Sequence, residues 1–155
     1  MLSGVDREIV NLHVLAEQPL HKPFDAGAEI QRMAGASDLL LLFPLHWYGP
    51  PSLLVRWMEE ALPTAGDLDP TRALRGKEVS FLISTGGDKA EYSATGKNER
   101  PVVEYLHPIL MTFKYFGACV QRPTIFHAAW CIAPEAARDI GRALCTRREL
   151  DRVYA

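Results

Sequence analysis

The run Asp38-Leu39-Leu40-Leu41-Leu42-Phe43 constrains this chain more than any other segment. Its unbroken apolar character predicts a strand over 39–43 that is buried on both faces. Strands of that kind belong to parallel sheets with helices packed on each side. The next residues agree. Phe43-Pro44-Leu45-His46-Trp47-Tyr48-Gly49-Pro50-Pro51 is a loop with three prolines and two adjacent aromatics. Ser52 to Leu62 then reads as an amphipathic helix, with Leu53, Trp57 and Ala61 on one face and Leu54, Met58 and Leu62 beside them. Pro51 stands near its start, where a missing donor costs little.

The remaining pattern repeats this alternation. A short strand is predicted over 8–15, a loop with Pro19 and Pro23 over 18–25, and a helix over 26–36 with Ile30, Met33 and Ala34 on one face. Residues 63–76 read as an irregular polar loop, in which Asp67 and Asp69 are solvated carboxylates. A strand follows over 78–83, then a long helix over 101–116. Pro108 should bend or divide that helix, and Gly117 suits its C′ position. The last strand, over 120–126, is interrupted by Pro123. A charged terminal helix over 134–153 turns Arg138, Arg142, Arg147 and Arg148 outward. The order β-α-β-α-β-α-β-α predicts an α/β fold in a single domain over 1–155. Its form is a flavodoxin-like doubly wound parallel sheet with four strands visible in the sequence.

Composition narrows the function. With 155 residues, a net charge of −2 and no basic run, the composition argues against nucleic acid and anionic membrane surfaces as partners. No apolar stretch approaches the roughly 20 residues needed to span a bilayer. The start, Met1-Leu2-Ser3-Gly4-Val5-Asp6, lacks a signal pattern. Cys119, Cys131 and Cys145 are odd in number and unpaired in spacing, so they read as reduced thiols in a cytoplasmic protein. His13, His21, His46, His107 and His127 form no metal-ligand spacing. No Ser-His-Asp pattern, Walker loop or Gly-x-Gly-x-x-Gly is present.

Ligands of open α/β sheets bind at the carboxyl ends of strands. Two loops qualify, 44–51 and 84–88. In the first, Trp47 and Tyr48 offer flat apolar surface beside the free amides of Leu45 to Gly49. A planar heterocycle with polar edges, such as a flavin ring, suits it. In the second, Ser84-Thr85-Gly86-Gly87-Asp88, two glycines permit close backbone approach. Alone it reads as a tight turn. Beside the first loop it reads as a ligand loop. Tyr92 could donate a hydrogen bond to a carbonyl or a developing oxyanion. On its own it reads as a surface tyrosine in a mobile loop. His46 lies in the candidate site or points to solvent, and His107 and His127 read as structural residues.

These residues resemble the flavodoxin-like NAD(P)H:quinone oxidoreductases. The branch they look most like is the small bacterial one that includes the ancillary subunits of glutathione-gated potassium efflux systems. The resemblance rests on Pro44-Leu45-His46-Trp47-Tyr48, then Pro51, Leu54, Trp57 and Glu59, then Gly76-Lys77, Ser84-Thr85-Gly86-Gly87, Tyr92, Pro108 and Gly117, across about residues 5–130. It implies an enzyme with an FMN or FAD cofactor. Pro44, Leu45, His46, Trp47 and Tyr48 would hold the ring's edge and face, and Thr85, Gly86 and Gly87 its other side. Tyr92 would stabilise charge during hydride transfer. NAD(P)H would reduce the flavin and leave, and a quinone or other small electron acceptor would take the hydride from the same face. The resemblance further implies a homodimer with its site between subunits. It places the protein in the cytoplasm, at the inner membrane where a transporter partner is present. The alternative is a non-catalytic ancillary subunit of a potassium efflux system with weak or no flavin binding.

Three departures accompany the resemblance. Relatives open with a strand and a phosphate-binding loop, and this sequence begins after both, so that either the protein extends upstream or this is a shortened form with impaired flavin binding. Asn98 stands six residues after Tyr92, where larger quinone reductases have a histidine. Residues 63–75 lack the usual aromatic, Gly-rich segment.

Overall fold

The computed structural model describes residues 19, 21–62, 69–133 and 135–136. The strand expected over 8–15 lies outside them, as does the terminal helix of 134–153 apart from residues 135–136. His13, Asp67 and Cys145 are outside them too. In chain order the elements are α1 (Ala26–Gly35), β1 (Asp38–Pro44), α2 (Ser52–Ala61), α3 (Pro70–Leu74), β2 (Glu78–Ser84), α4 (Val102–Tyr105), α5 (His107–Tyr115), β3 (Cys119–Val120) and β4 (Thr124–Phe126). A single 3₁₀ turn follows at Ala129–Cys131.

β2 is the centre of a parallel sheet. It pairs with β1 on one side, placing Leu39 opposite Val79, Leu41 opposite Phe81 and Phe43 opposite Ile83. On its other side it pairs with β3 at Glu78 and Val79, and with β4 from Leu82 to Ser84. β3 and β4 are thus the two halves of the expected last strand. Residues 121–123 separate them, and Pro123 has no amide to give to a ladder.

The apolar core lies on one face of this sheet. Leu39, Leu41, Phe43, Val79, Phe81 and Ile83 pack there against Met33 of α1, Trp57 of α2, Leu74 of α3 and Phe113 of α5. This corrects the expectation of a doubly buried β1. Its even positions look the other way, with Leu42 44% exposed, and among the described residues no helix covers that side. α1 departs similarly. It turns Glu29 and Met33 inward, and Ala34 is exposed. The reason is Trp57, whose buried Nε1 donates to Glu29 Oε2 at 2.9 Å, while Arg32 pairs with the other oxygen.

The region 63–76 is not all loop. Asp69 caps α3 by accepting from the Thr71 amide at 2.9 Å, and Pro70 occupies the first turn. Pro70, Ala73 and Leu74 are buried, so Asp69 is a helix cap and not merely a solvated carboxylate. Pro108 does divide the long helix, into α4 and α5. Gly117 closes α5 at φ +81°, a conformation that strains any residue with a Cβ. Lys77 Nζ donates to the carbonyls of Met33, Ala34 and Ala36, capping α1 from the start of β2. Among the described residues no helix is long and apolar enough to cross a membrane.

Candidate functional site

The sheet register brings three strand ends together. Pro44 lies opposite Ser84, and Ser84 opposite Phe126. Just beyond, the Leu45 amide donates to Ser84 O at 2.7 Å and the Thr85 amide to Phe126 O at 2.8 Å. The Ala129 amide donates to Thr85 O at 2.9 Å. The segments 44–51, 84–101 and 127–131 therefore leave the sheet side by side at its carboxyl edge.

In the first segment, His46 and Gly49 bond each other through both amides, at 2.9 and 3.2 Å, leaving Trp47 and Tyr48 as the tip of a two-residue hairpin. Trp47 has φ +59° and Tyr48 has no positive φ. That is the pattern of a type II′ turn, which favours glycine at its first central position. A bulky residue there is an outlier, yet the Trp47 ring is 82% exposed. The strain therefore secures no packing within the described fold. The expectation of free amides from Leu45 to Gly49 is corrected. Leu45, His46 and Gly49 are engaged, and only Trp47 and Tyr48 keep unpartnered amides among the described residues. Pro44 ends β1 and is exposed, Leu45 packs on the core, and His46 is exposed. The Tyr48 ring meets Tyr105 at 5.1 Å, and its hydroxyl reaches Asn98 Oδ1 at 3.4 Å. Tyr105 donates to the carbonyl of the same Asn98, so this residue stitches the first segment to the second.

In the second segment, Thr85 is buried, and its hydroxyl donates to Gly87 O at 2.8 Å. Its polar atoms are spent within the protein, so Thr85 shapes the turn from beneath. The Gly86 and Gly87 amides have no partner among the described residues. A Cβ on Gly86 would come 2.9 Å from Trp130 Nε1, and one on Gly87 would come 2.2 Å from Glu91 Oε2 and 3.2 Å from Tyr92 Cε2. A side chain at either position would have to displace the Trp130 indole or the Glu91 carboxylate. Tyr92 is no loose surface residue. It is half-buried against the core, with its ring 5.7 Å from that of His127. Burial first, then the neighbouring Tyr48, Glu91 and Tyr105, raises its phenol above the ordinary pKa, so it stays a neutral donor.

Two further residues reach this edge. His127 Nδ1 lies 3.1 Å from Thr85 Oγ1. Burial, then Lys89, holds its pKa below the ordinary value, against the opposing pull of Asp88 and the Gly87 carbonyl. Trp130 is 89% exposed and lies over Gly86. His127 directly follows the last predicted strand and Trp130 lies three residues on, so the strand-end rule that selected the other two loops selects this one as well.

Residues 2–146 match the family described as the flavodoxin-like fold. General stress protein 14 of Bacillus subtilis (strain 168) is 30% identical over 120 residues, covering 77% of this chain and 67% of that protein. The uncharacterized NAD(P)H oxidoreductase YrkL of the same organism is 32% identical over 95 residues, covering 60% and 54%. Among solved structures, general stress protein 14 of Treponema denticola in complex with FMN superposes with a TM-score of 0.65 at 30% identity, covering 83% of this chain and 72% of that one. The chain thus spans from about half to two thirds of the length of these curated relatives.

Proposed function

The chain belongs to the flavodoxin-like fold family, and from that premise we propose that it serves a flavin-dependent NAD(P)H oxidoreductase, carrying hydride from NAD(P)H through FMN to a quinone-type acceptor. The observation that carries this reading is the set of amides of Trp47, Tyr48, Gly86 and Gly87, unpartnered among the described residues and gathered at one sheet edge with the exposed Trp47 indole on a left-handed backbone. Such an edge suits a flat ring with heteroatoms along its rim. The relative named NAD(P)H oxidoreductase supports the reaction class, and the FMN-bound relative favours FMN over FAD.

Bound flavin supplies the hydride chemistry itself. The chain's residues supply position and electrostatics. Trp47 offers a face to the ring, and the amides of Trp47 and Tyr48 donate to its edge. Gly86 and Gly87 donate from the second loop through their amides, while Thr85 holds that loop's shape. Tyr92, kept neutral, can donate to a carbonyl oxygen or to charge developing nearby. Pro44, Leu45 and His46 fix where the hairpin leaves the sheet. A second copy of the chain is the expected assembly partner. Supporting this, Met111 and Tyr115 are exposed beside an apolar groove of about 530 Å³ between α2 and α5.

The test is to add excess FMN, desalt, record the absorbance spectrum, and then follow NAD(P)H oxidation with a soluble quinone. Retained flavin bands and quinone-dependent oxidation are expected. A folded chain that retains no flavin sinks the reading. Retained flavin without NAD(P)H oxidation favours instead an ancillary subunit acting at a membrane transporter.

A further inference from the structure

We propose that Trp130 is a ligand-binding residue, an aromatic wall across the two-glycine loop from Trp47, against which the flat ring of the ligand stacks. That the ring is FMN's rests on the function proposed above.

The backbone fixes where Trp130 stands. The Ala128 amide donates to Gly87 O and the Ala129 amide to Thr85 O, both at 2.9 Å. The Cys131 amide donates to Ala128 O at 2.8 Å and closes the 3₁₀ turn over Ala129–Cys131. Trp130 is the middle residue of that turn, so it is carried with the glycine loop. The indole meets Gly86 by its nitrogen corner. From the position that a Gly86 Cβ would take, Nε1 is 2.9 Å away, Cδ1 3.6 Å and Cε2 4.0 Å. The ring therefore stands on Gly86, with its other atoms turned away from the loop.

Packing does not account for this placement. Among the exposed large hydrophobic side chains described, Trp130 at 89% and Trp47 at 82% are the most exposed, and both belong to the carboxyl edge. A single exposed apolar side chain is ordinary, but these two flank one loop. β1 and β4 pair with opposite sides of β2, so the two indoles approach residues 84–88 from opposite sides. The strand between them carries the Gly86 and Gly87 amides, unpartnered among the described residues. Donors for an edge and aromatic surface for a face together suit a planar heterocycle. Glycine at position 86 serves the same arrangement. Its φ is not positive, so the backbone would accept alanine, but the added Cβ would displace the indole.

The test titrates the flavin-free 155-residue chain with FMN, as wild type, Trp130→Phe, Trp130→Ala, Gly86→Ala and the double variant Gly86→Ala/Trp130→Ala. Proton spectra and affinity are read together. FMN should move the Trp130 ring protons upfield, as stacking does, in step with the Gly86 and Gly87 amides, and leave those of the buried Trp57 in place. Trp130→Ala should weaken FMN about two- to tenfold, the range of one aromatic pair, and Trp130→Phe should restore most of the loss. Gly86→Ala should weaken FMN similarly, with no further loss in the double variant, because the methyl acts through the indole. Melting temperatures should stay level in the Trp130 variants. FMN bound with the Trp130 ring protons unmoved, or bound equally by wild type and Trp130→Ala, overturns the proposal and leaves the flavin reading standing. So does a Gly86→Ala loss that is as large without Trp130 as with it, or a melting temperature lowered by Trp130→Ala. No FMN binding by the folded wild type overturns both.

Discussion

Trp47 holds a left-handed backbone conformation, φ +59°, and an indole that is 82% exposed. If ligand contact and not packing retains that residue, its backbone and its ring can be separated by substitution. Trp47→Ala and Trp47→Gly delete the same ring and forgo the same small buried area. They differ at the backbone. The left-handed region costs an L-residue about 1–2 kcal/mol. Glycine escapes that cost but gives up about 0.5–1 kcal/mol of unfolded-state entropy relative to alanine. The glycine variant should therefore be more stable than the alanine variant by about 0.5–1 kcal/mol, or about 1–4 °C in melting midpoint for a chain of this size. Flavin retention should move differently, falling in both variants, because neither presents an aromatic face. Differential scanning fluorimetry of the flavin-free chains and FMN titration give the two readouts. A glycine variant that melts no higher than the alanine variant would show that this backbone is unstrained. FMN affinity unchanged from wild type in both would show that the indole is not a ring contact.

Three further predictions probe different links. Trp57 is 1% exposed and its Nε1 holds the buried Glu29 carboxylate at 2.9 Å, so Trp57→Ala should destabilise by about 3–5 kcal/mol. An unchanged urea midpoint would remove Trp57 from the core. Tyr92→Phe keeps the ring contact with His127 and removes only the donor, so it should slow turnover while disturbing flavin retention less than Trp47→Ala does. Equal loss of flavin in the two variants would make Tyr92 a binding residue. Ala128 has φ +51° and ψ +45°, and its amide bond to Gly87 survives substitution. Ala128→Gly should stabilise by about 0.5–1 kcal/mol, and a lower melting temperature would contradict the strain assigned there.

What could be read from the sequence was what local pattern dictates. The apolar runs of β1 and β2 and the prolines around α2 and α5 are local signals, and they placed these elements nearly to the residue. α3 escaped because its five residues are too few to show a helical period within polar surroundings, although Asp69-Pro70 was the start signal to use. The partial exposure of Leu40 and Leu42 on the even side of β1 escaped because an apolar run reports hydrophobicity and not which element covers each face. His127 escaped for a deeper reason. Its partner Thr85 is 42 residues away, and only the register of β2 with β4 brings the two strand ends together. Trp47 was found by residue type, but its backbone conformation was invisible, because turn chemistry at that position argues for glycine. The three described non-glycine residues with positive φ are Trp47, Glu99 and Ala128. They fall one to each of the three segments that meet at the carboxyl edge. Strain of this kind persists only where surrounding structure enforces it, and it gathers where function sets the geometry. The departures from ordinary backbone geometry gather at one edge, the pattern expected where a sequence serves a ligand as well as a fold.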